Sequence, residues 1–367
     1  MSGFTFSFGG DDIEDEEAGT SPQVESRPVA AERPSLKSAG AFPVAGKPQL
    51  PALHHGLDHM FSQLPPKVAY DLLDAGEGLY LPRRELWDVK VQVMAEQDVD
   101  AEMEPGLGTH DVKTGVYEGG FKSWESSVDL VKELKQMDLS ASCLGKNTSL
   151  RVTELGCGTA LPSLALFQEV VSSPIMRGNV PLLLTVADYN PTVLQLVTLP
   201  NFILTWALVA HHESSLVQQA LDVEGKELEL SEDILGAFRD FLSSNKIFLS
   251  FVSGGWSNEF VEVLYTTATM SQRTSGDTAL LLGAETIYSP LALETFTETM
   301  MSILREERMK NLDGKTIAVV GAKRHYFGVG GSLDDFIDKA RESGCSVDWL
   351  REEGQGVRRG VVMCQLQ

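Results

Sequence analysis

The 367 residues, 43% of them hydrophobic, suffice for one large core with appendages or for two domains, and no run reaches the roughly 18 uninterrupted apolar residues of a membrane span. A formal charge of −22 argues against a broad face gripping nucleic acid, which needs clustered Lys and Arg, and suits a basic protein partner better. The start lacks the basic-then-apolar pattern of a secretory signal, so a cytoplasmic and nuclear protein is expected, and the four cysteines, Cys143, Cys157, Cys345 and Cys364, form no C-x-x-C pair of a zinc or disulfide framework.

Residues 1–50 read as a disordered acidic tail: "DDIEDEE" places six acids in seven positions, and Pro, Ser and Ala follow with almost no large apolar residues. Before it, "FTFSF" alternates Phe with small polar residues and reads as a short segment able to dock on the body or a partner. Residues 51–114 form a Pro-interrupted stretch taken as a small N-terminal cap, in which Leu86, Val89, Val91 and Val93 suit a strand or a helix turn equally.

From residue 115 to 367 the pattern becomes regular. "SLRVTELGCG" is a strand running into a glycine turn, and "TALPSLALFQEVV" is a helix with Pro in its first turn. "VPLLLTVADYN" is a second buried strand. "PTVLQLVTLPNFILTWALVA" is helical and predicted to be interrupted at Pro200. An acidic segment over 211–245 leads to the strand "KIFLSFVSG" and a helix over 259–267. "DTALLLGAE" is a fourth strand, "PLALETFTETMMSILREE" an amphipathic helix, and "KTIAVVGAK" a fifth strand. A helix over 332–342 and two closely spaced strands, "CSVDWL" and "GVVMCQL", end the chain. Strands alternating with helices predict an α/β fold, with a parallel sheet covered on both faces and an antiparallel pair at one edge.

Ligands of such a sheet bind beyond the carboxyl ends of its strands, where strand order reverses. Glu154, Gly156 and Gly158 end the first strand, and Asp188 and Asn190 end the second. A carboxylate at Asp188 can accept both hydroxyls of an unphosphorylated ribose, whether of NAD or of S-adenosylmethionine. The G-x-G-x-x-G of dinucleotide enzymes is incomplete, with Ala160, Leu161 and Pro162 where the third glycine is sought. Glu154 suits S-adenosylmethionine, which brings an ammonium and a sulfonium in place of a pyrophosphate.

The segments "GVYEGGFKSWESS" (115–127), "ELGCG" (154–158), "DYN" (188–190), "LPN" (199–201), "SGGWS" (253–257), "ETIY" (285–288) and "HYFGVGG" (325–331) together resemble the protein-histidine N-methyltransferases. The resemblance spans about residues 80–367, with "YEGG" and "HYFGVGG" its most specific parts. It implies a Rossmann-like seven-strand class I methyltransferase that uses S-adenosylmethionine and methylates a histidine of large-subunit ribosomal protein three. It places Trp124 over the cofactor and Glu154, Gly156 and Gly158 under its methionine part. Asp188 and Asn190 then meet the ribose and adenine edge, and Gly255 and Trp256 flank the adenine.

A sulfonium methyl is already activated, so transfer depends on an in-line nucleophile. A histidine acceptor must attack through an unprotonated nitrogen while its other nitrogen carries a hydrogen that needs an acceptor. Glu285 is expected to orient that ring and take its proton, with Tyr288 packing on it. His325, Tyr326, Phe327, Gly328 and Gly330 are read as the rim of the acceptor site, with the glycines flat against the incoming peptide and the aromatics as an apolar wall. No metal is expected, because His325 has no partner at ligand spacing, and His110 is placed near the same mouth. A lysine or small-molecule methyltransferase, or a scaffold that has lost transfer, are the competing readings.

Overall fold

In the computed structural model the described residues are 50–96, 120–144, 148–267, 276–328, 330–354 and 356–367. The expected acidic tail, the "FTFSF" segment, His110 and residues 115–119 lie outside them.

The chain builds an eight-stranded mixed sheet in the order β1-β8-β5-β4-β9-β10-β12-β11. Two of its inner strands, β4 (Leu150–Leu155) and β5 (Leu182–Asp188), are buried at every residue. The parallel set is completed by β8 (Ile247–Ser253), β9 (Thr278–Ala284) and β10 (Lys315–Lys323). As expected, β11 (Cys345–Glu353) and β12 (Arg359–Leu366) run antiparallel at one edge. Seven strands were expected in this sheet; the eighth is β1 (Leu53–His55), which pairs antiparallel with β8.

Side chains alternate across the sheet with the period of two that a strand imposes. Val152, Leu184, Leu282 and Val319 face one core, together with Phe167 and Phe202. Leu155, Ala187, Leu281 and Val320 face the other, with Phe260, Phe296 and Phe336. On the first face lie α3 (Glu125–Met137), α5 (Leu161–Ser172) and α6 (Pro191–Ala210); on the second lie α9 (Asn258–Thr266), α10 (Pro290–Lys310) and α11 (Leu333–Glu342). Two short helices, α1 (Leu57–Phe61) and α4 (Leu139–Cys143), and the 11-residue α2 (Leu86–Glu96), fill the N-terminal half. Ser257, Ser289 and Ser332 cap α9, α10 and α11, each hydroxyl accepting a backbone N–H of the first turn, which adds about 1 kcal/mol per helix.

The helix α6 is long and apolar enough to cross a membrane, with mean hydropathy 1.8 over an 18-residue window, but 83% of that window is buried inside the fold. It is a core helix, and Phe202 meets Phe167 edge-on at 5.3 Å. The interruption expected at Pro200 falls just before it. A π-helical turn over Leu194–Thr198 comes first, and Pro200 follows in the first turn of the restarted α-helix, where its missing N–H costs little.

A second, four-stranded sheet has the order β3-β2-β7-β6. The hairpin β2 (Lys67–Gly76) and β3 (Leu79–Arg84) pairs through β2 with β7 (Glu227–Glu229), which follows β6 (Leu221–Asp222). The stretch expected as a cap therefore supplies strands to both sheets, and the acidic segment, with α7 (Ser215–Ala220) and α8 (Glu232–Ser244), folds against it.

Docking of β1 depends on Gly254, at φ +110, where an added Cβ would lie 2.4 Å from the Pro51 carbonyl oxygen. Gly344 has a similar φ of +99 with nothing within 4 Å of its Cβ position, so it isolates the backbone cost. Urea denaturation should show Gly344→Ala losing about 1 kcal/mol and Gly254→Ala clearly more, about 2–4 kcal/mol. Equal losses would mean that the contact with residues 51–52 is not tight.

Candidate functional site

Strand order reverses at β4, whose neighbours are β5 and β9, and a cavity of about 410 Å³ opens there at the carboxyl ends of the parallel strands. Its volume falls within the range of small-ligand sites.

The first wall is the turn after β4. Gly156 and Gly158 adopt φ of +63 and +50, and Ala160 also sits in the left-handed region at +56. A Cβ on Gly156 would come 2.8 Å from Thr286 Cγ2 and 3.5 Å from the Trp256 ring, and one on Gly158 would reach 3.0 Å from the Gly120 carbonyl. The second glycine of "EGG" thus lies on the glycine turn, and both backbones need bare Cα atoms to pass. Carbonyls of the turn are tied to α6, with Thr198 Oγ1 donating to Gly158 O at 2.6 Å and Asn201 Nδ2 donating to Thr159 O at 3.1 Å. Asn201 Oδ1 accepts the Arg84 N–H at 2.7 Å, so the "LPN" segment joins the turn to the end of β3.

Ala160, at the N-cap of α5, offers no capping side chain. Glu154 replaces it: Oε2 accepts the Ser163 N–H at 3.0 Å and also the Ser163 hydroxyl. Burial pushes its carboxyl up to about 7 against the pull of these two bonds, and nearby Asp188 adds to the rise. Asp188 Oδ2 accepts the Gly158 N–H at 3.0 Å, and Oδ1 accepts the Asn190 N–H at 3.1 Å. The carboxylate lines the cavity, where a ligand hydroxyl can meet it.

At the other end Glu285 leaves β9 with φ +57, an uncommon conformation for a residue with a side chain. Its N–H is held by Gly321 O of β10 at 2.9 Å. Its Oε1 accepts the Ser126 hydroxyl from the first turn of α3, and its Oε2 accepts the Tyr326 hydroxyl at 2.5 Å. Burial raises the Glu285 carboxyl, opposed by Lys323 and by the two hydroxyls, while burial and Glu285 raise the Tyr326 phenol well above its ordinary value.

The cavity brings together most of the residues singled out from the sequence: Trp124, Glu154, Gly156, Gly158, Asp188, Asn190, Trp256, Glu285, Tyr288, His325, Tyr326 and Phe327. Gly255, Gly328 and Gly330 are not on its wall. The Gly255 N–H is bonded to Leu50 O, and the turn after β10 closes on itself through Gly330 N–H to Tyr326 O at 3.0 Å. The glycine pressed against backbone is Gly331, whose Cβ would lie 2.1 Å from Ile287 O, so the loop packs on the "ETIY" segment and not flat against a peptide. Of the proposed apolar wall, Tyr326 is buried as a hydrogen-bond donor and Phe327 is 90% exposed at the mouth.

Lys122, Ser127, Tyr189, Thr286, Lys323 and Val357 also line the cavity, and Ser126 acts on it through Glu285. Lys323 was legible as the last residue of the fifth strand, in rank with Glu285. Thr286 Oγ1 is buried with no hydrogen-bond partner, leaving a polar atom for a ligand to satisfy. Among the described residues no group of three His, Cys, Asp or Glu is placed to hold a metal ion.

No protein-family model matches the chain. It is 37% identical over 316 residues to histidine protein methyltransferase 1 of Schizosaccharomyces pombe, with 83% of each chain covered. This chain belongs to the histidine protein methyltransferase family. The Saccharomyces cerevisiae protein of the same name is 36% identical over 269 residues, 70% of this chain and 67% of its own. Among solved structures, the rRNA methyltransferase aviRa from Streptomyces viridochromogenes matches with TM-score 0.34 and 10% identity, over 68% of this chain and 88% of its own. The chain is accordingly an enzyme that methylates protein histidine, as the motif resemblance implied.

Glu154 carries a pH signature. Its folded pKa of about 7 lies above the ordinary 4.5, so the folded chain holds a proton that the unfolded chain has lost. Stability from this group is present below about pH 4.5 and lost as pH rises through about 7, on the order of 3 kcal/mol. Glu154→Gln keeps a carbonyl for Ser163 and removes the charge. In thermal melts it should be more stable than wild type at pH 8, with the gap closing toward pH 5; a gap independent of pH would contradict the assignment.

Proposed function

We propose that this methyltransferase transfers a methyl group from S-adenosylmethionine to an imidazole nitrogen of a histidine in a large-subunit ribosomal protein. The observation that carries the proposal is Glu285, a carboxylate fixed on both oxygens at the inner end of a cavity whose other end is a glycine turn and a strand-end aspartate.

The residues present fit that cofactor. Asp188 presents a carboxylate at the cavity wall to a ribose diol, and Trp256, resting on Phe296 with ring centroids 5.5 Å apart, offers a face to an adenine. Trp124 and Tyr288 supply π-faces that attract a sulfonium, each such contact being about 0.5–2 kcal/mol. Thr286 Oγ1 and the bare backbone at Gly156 leave polar contacts for the amino-acid part. S-adenosylmethionine supplies an electrophilic methyl group, so the protein's task is to present a neutral nitrogen in line with it.

For an imidazole that task falls to Glu285. Its carboxylate accepts the N–H of the non-attacking nitrogen, which holds the ring in the reactive tautomer. As the N–CH3 bond forms, that nitrogen becomes acidic and Glu285 takes its proton. Ser126 and Tyr326 keep the carboxylate aimed, and Tyr288 packs beside the ring. His325 and Phe327, exposed at the mouth, meet the flanking peptide.

The ribosomal substrate is supported by the motif resemblance and by the charge of −22, which favours a basic partner over direct nucleic-acid binding. A cytoplasmic and nuclear site of action accords with such a substrate. Incubation with labelled S-adenosylmethionine and purified large-subunit ribosomal proteins, followed by mass spectrometry, should place the label on a histidine of one protein. Glu285→Gln should lower kcat about 10²- to 10⁴-fold with cofactor affinity retained. Label on lysine alone, or full activity in the Gln variant, would overturn the reading.

A further inference from the structure

Lys323, the last residue of β10, lines the same cavity wall as Glu285 on the adjacent parallel strand: Gly321 is in register with Ala284, which puts Glu285 level with Ala322, one residue before Lys323. Its ammonium lies 5.3 Å from the Trp124 ring centroid and 5.7 Å from that of Tyr326. Among the described residues the ammonium makes no hydrogen bond or ion pair; only the backbone N–H of Lys323 is bonded, to the Tyr326 hydroxyl. A partly buried cation without a carboxylate bound to it, held between two aromatic faces at the wall of a cavity, is costly unless a nearby negative charge uses it.

We propose that Lys323 is a positioning residue for methyl transfer: lodged between Trp124 and Tyr326, it holds the Glu285 carboxylate charged and aimed at the acceptor ring without touching the substrate itself. The proposal rests on Glu285 being the group that orients the imidazole.

The surroundings of Glu285 single Lys323 out. From α3 comes the neutral Ser126 hydroxyl, and from the turn after β10 the Tyr326 hydroxyl, which also accepts the Lys323 N–H at 3.3 Å. Tyr288 follows Glu285 on the same segment and His325 lines the cavity mouth. From β12 comes Arg359, already bound by Asp129 at 2.7 Å and Glu125 at 2.9 Å, so most of its charge is spent on α3. Lys323 opposes the rise of the Glu285 carboxyl more than any other group. Trp124 is thereby shared: one ring holds the ammonium and lines the cavity where the cofactor is proposed to bind.

The test is an infrared pH titration of the Glu285 carboxyl, its band assigned as the one lost in Glu285→Gln, in wild type, Lys323→Met and Lys323→Arg. The midpoint should rise by about one pH unit in Lys323→Met and return toward wild type in Lys323→Arg. At neutral pH, kcat with a histidine-bearing substrate should fall about tenfold in Lys323→Met, while the affinity for S-adenosylmethionine, read by calorimetry, stays within twofold. An unshifted midpoint overturns the proposal, and loss of cofactor affinity in Lys323→Met reassigns Lys323 to cofactor binding and overturns it too. Full activity in Glu285→Gln would remove the reading of Glu285 itself, whereas an inactive Gln variant with an unmoved midpoint would remove only the role of Lys323.

Discussion

Both oxygens of Glu285 accept hydroxyl protons, one from Ser126 on α3 and one from Tyr326 beyond β10, and the site is arranged around that carboxylate. It leaves the sheet in a left-handed conformation, is buried enough to resist ionisation, and can turn toward neither solvent nor core without breaking a charge-assisted bond. The two donors come from segments far apart in the chain. Forming this contact therefore requires α3, β9 and β10 all to be in place. The closed turn of "HYFGVGG" serves the same end: Gly331 presses on residues 287–288 and fixes Tyr326, while Phe327 is left at the mouth.

The opposite end of the cavity follows a parallel logic. Glu154 caps α5 because Ala160 cannot, and Asp188 holds the glycine turn by accepting a backbone N–H at the cavity wall. The apolar α6 restrains the turn's carbonyls through Thr198 and Asn201, and its π-turn ends at Thr198. Both strand-end acids are thus occupied in holding protein while lining the cavity. A site arranged this way has little reorganisation left to do on binding, which is where positioning contributes most to a methyl transfer.

Much of this was legible in sequence. Continuous apolar runs ending in Gly, Asp or Glu mark the parallel strands, and their ends single out Glu154, Gly156, Gly158, Asp188 and Glu285. Local pattern carries such information because strand, turn and helix start lie within about a dozen residues of one another. It carries little across the chain. The pairing of β1 with β8, at His54 and Val252, has no short-range signature, nor has that of Val68 with Leu228, which turned an expected cap into part of a second sheet. Tyr326 was read as an apolar wall because a tyrosine's hydroxyl partner is invisible until another strand brings it near. Gly331, and not Gly328 or Gly330, proved to be the glycine needed for close approach, since three glycines in four positions cannot be ranked without the backbone that meets them.

The central claim is that Glu285 holds the acceptor imidazole. A crystal structure of the protein with S-adenosylhomocysteine and a histidine-bearing substrate peptide tests it most directly. One ring nitrogen is expected within about 2.6–3.2 Å of a Glu285 oxygen, with the other nitrogen facing the cofactor sulfur. A histidine ring bound elsewhere, with Glu285 still engaged only by Ser126 and Tyr326, would contradict the account.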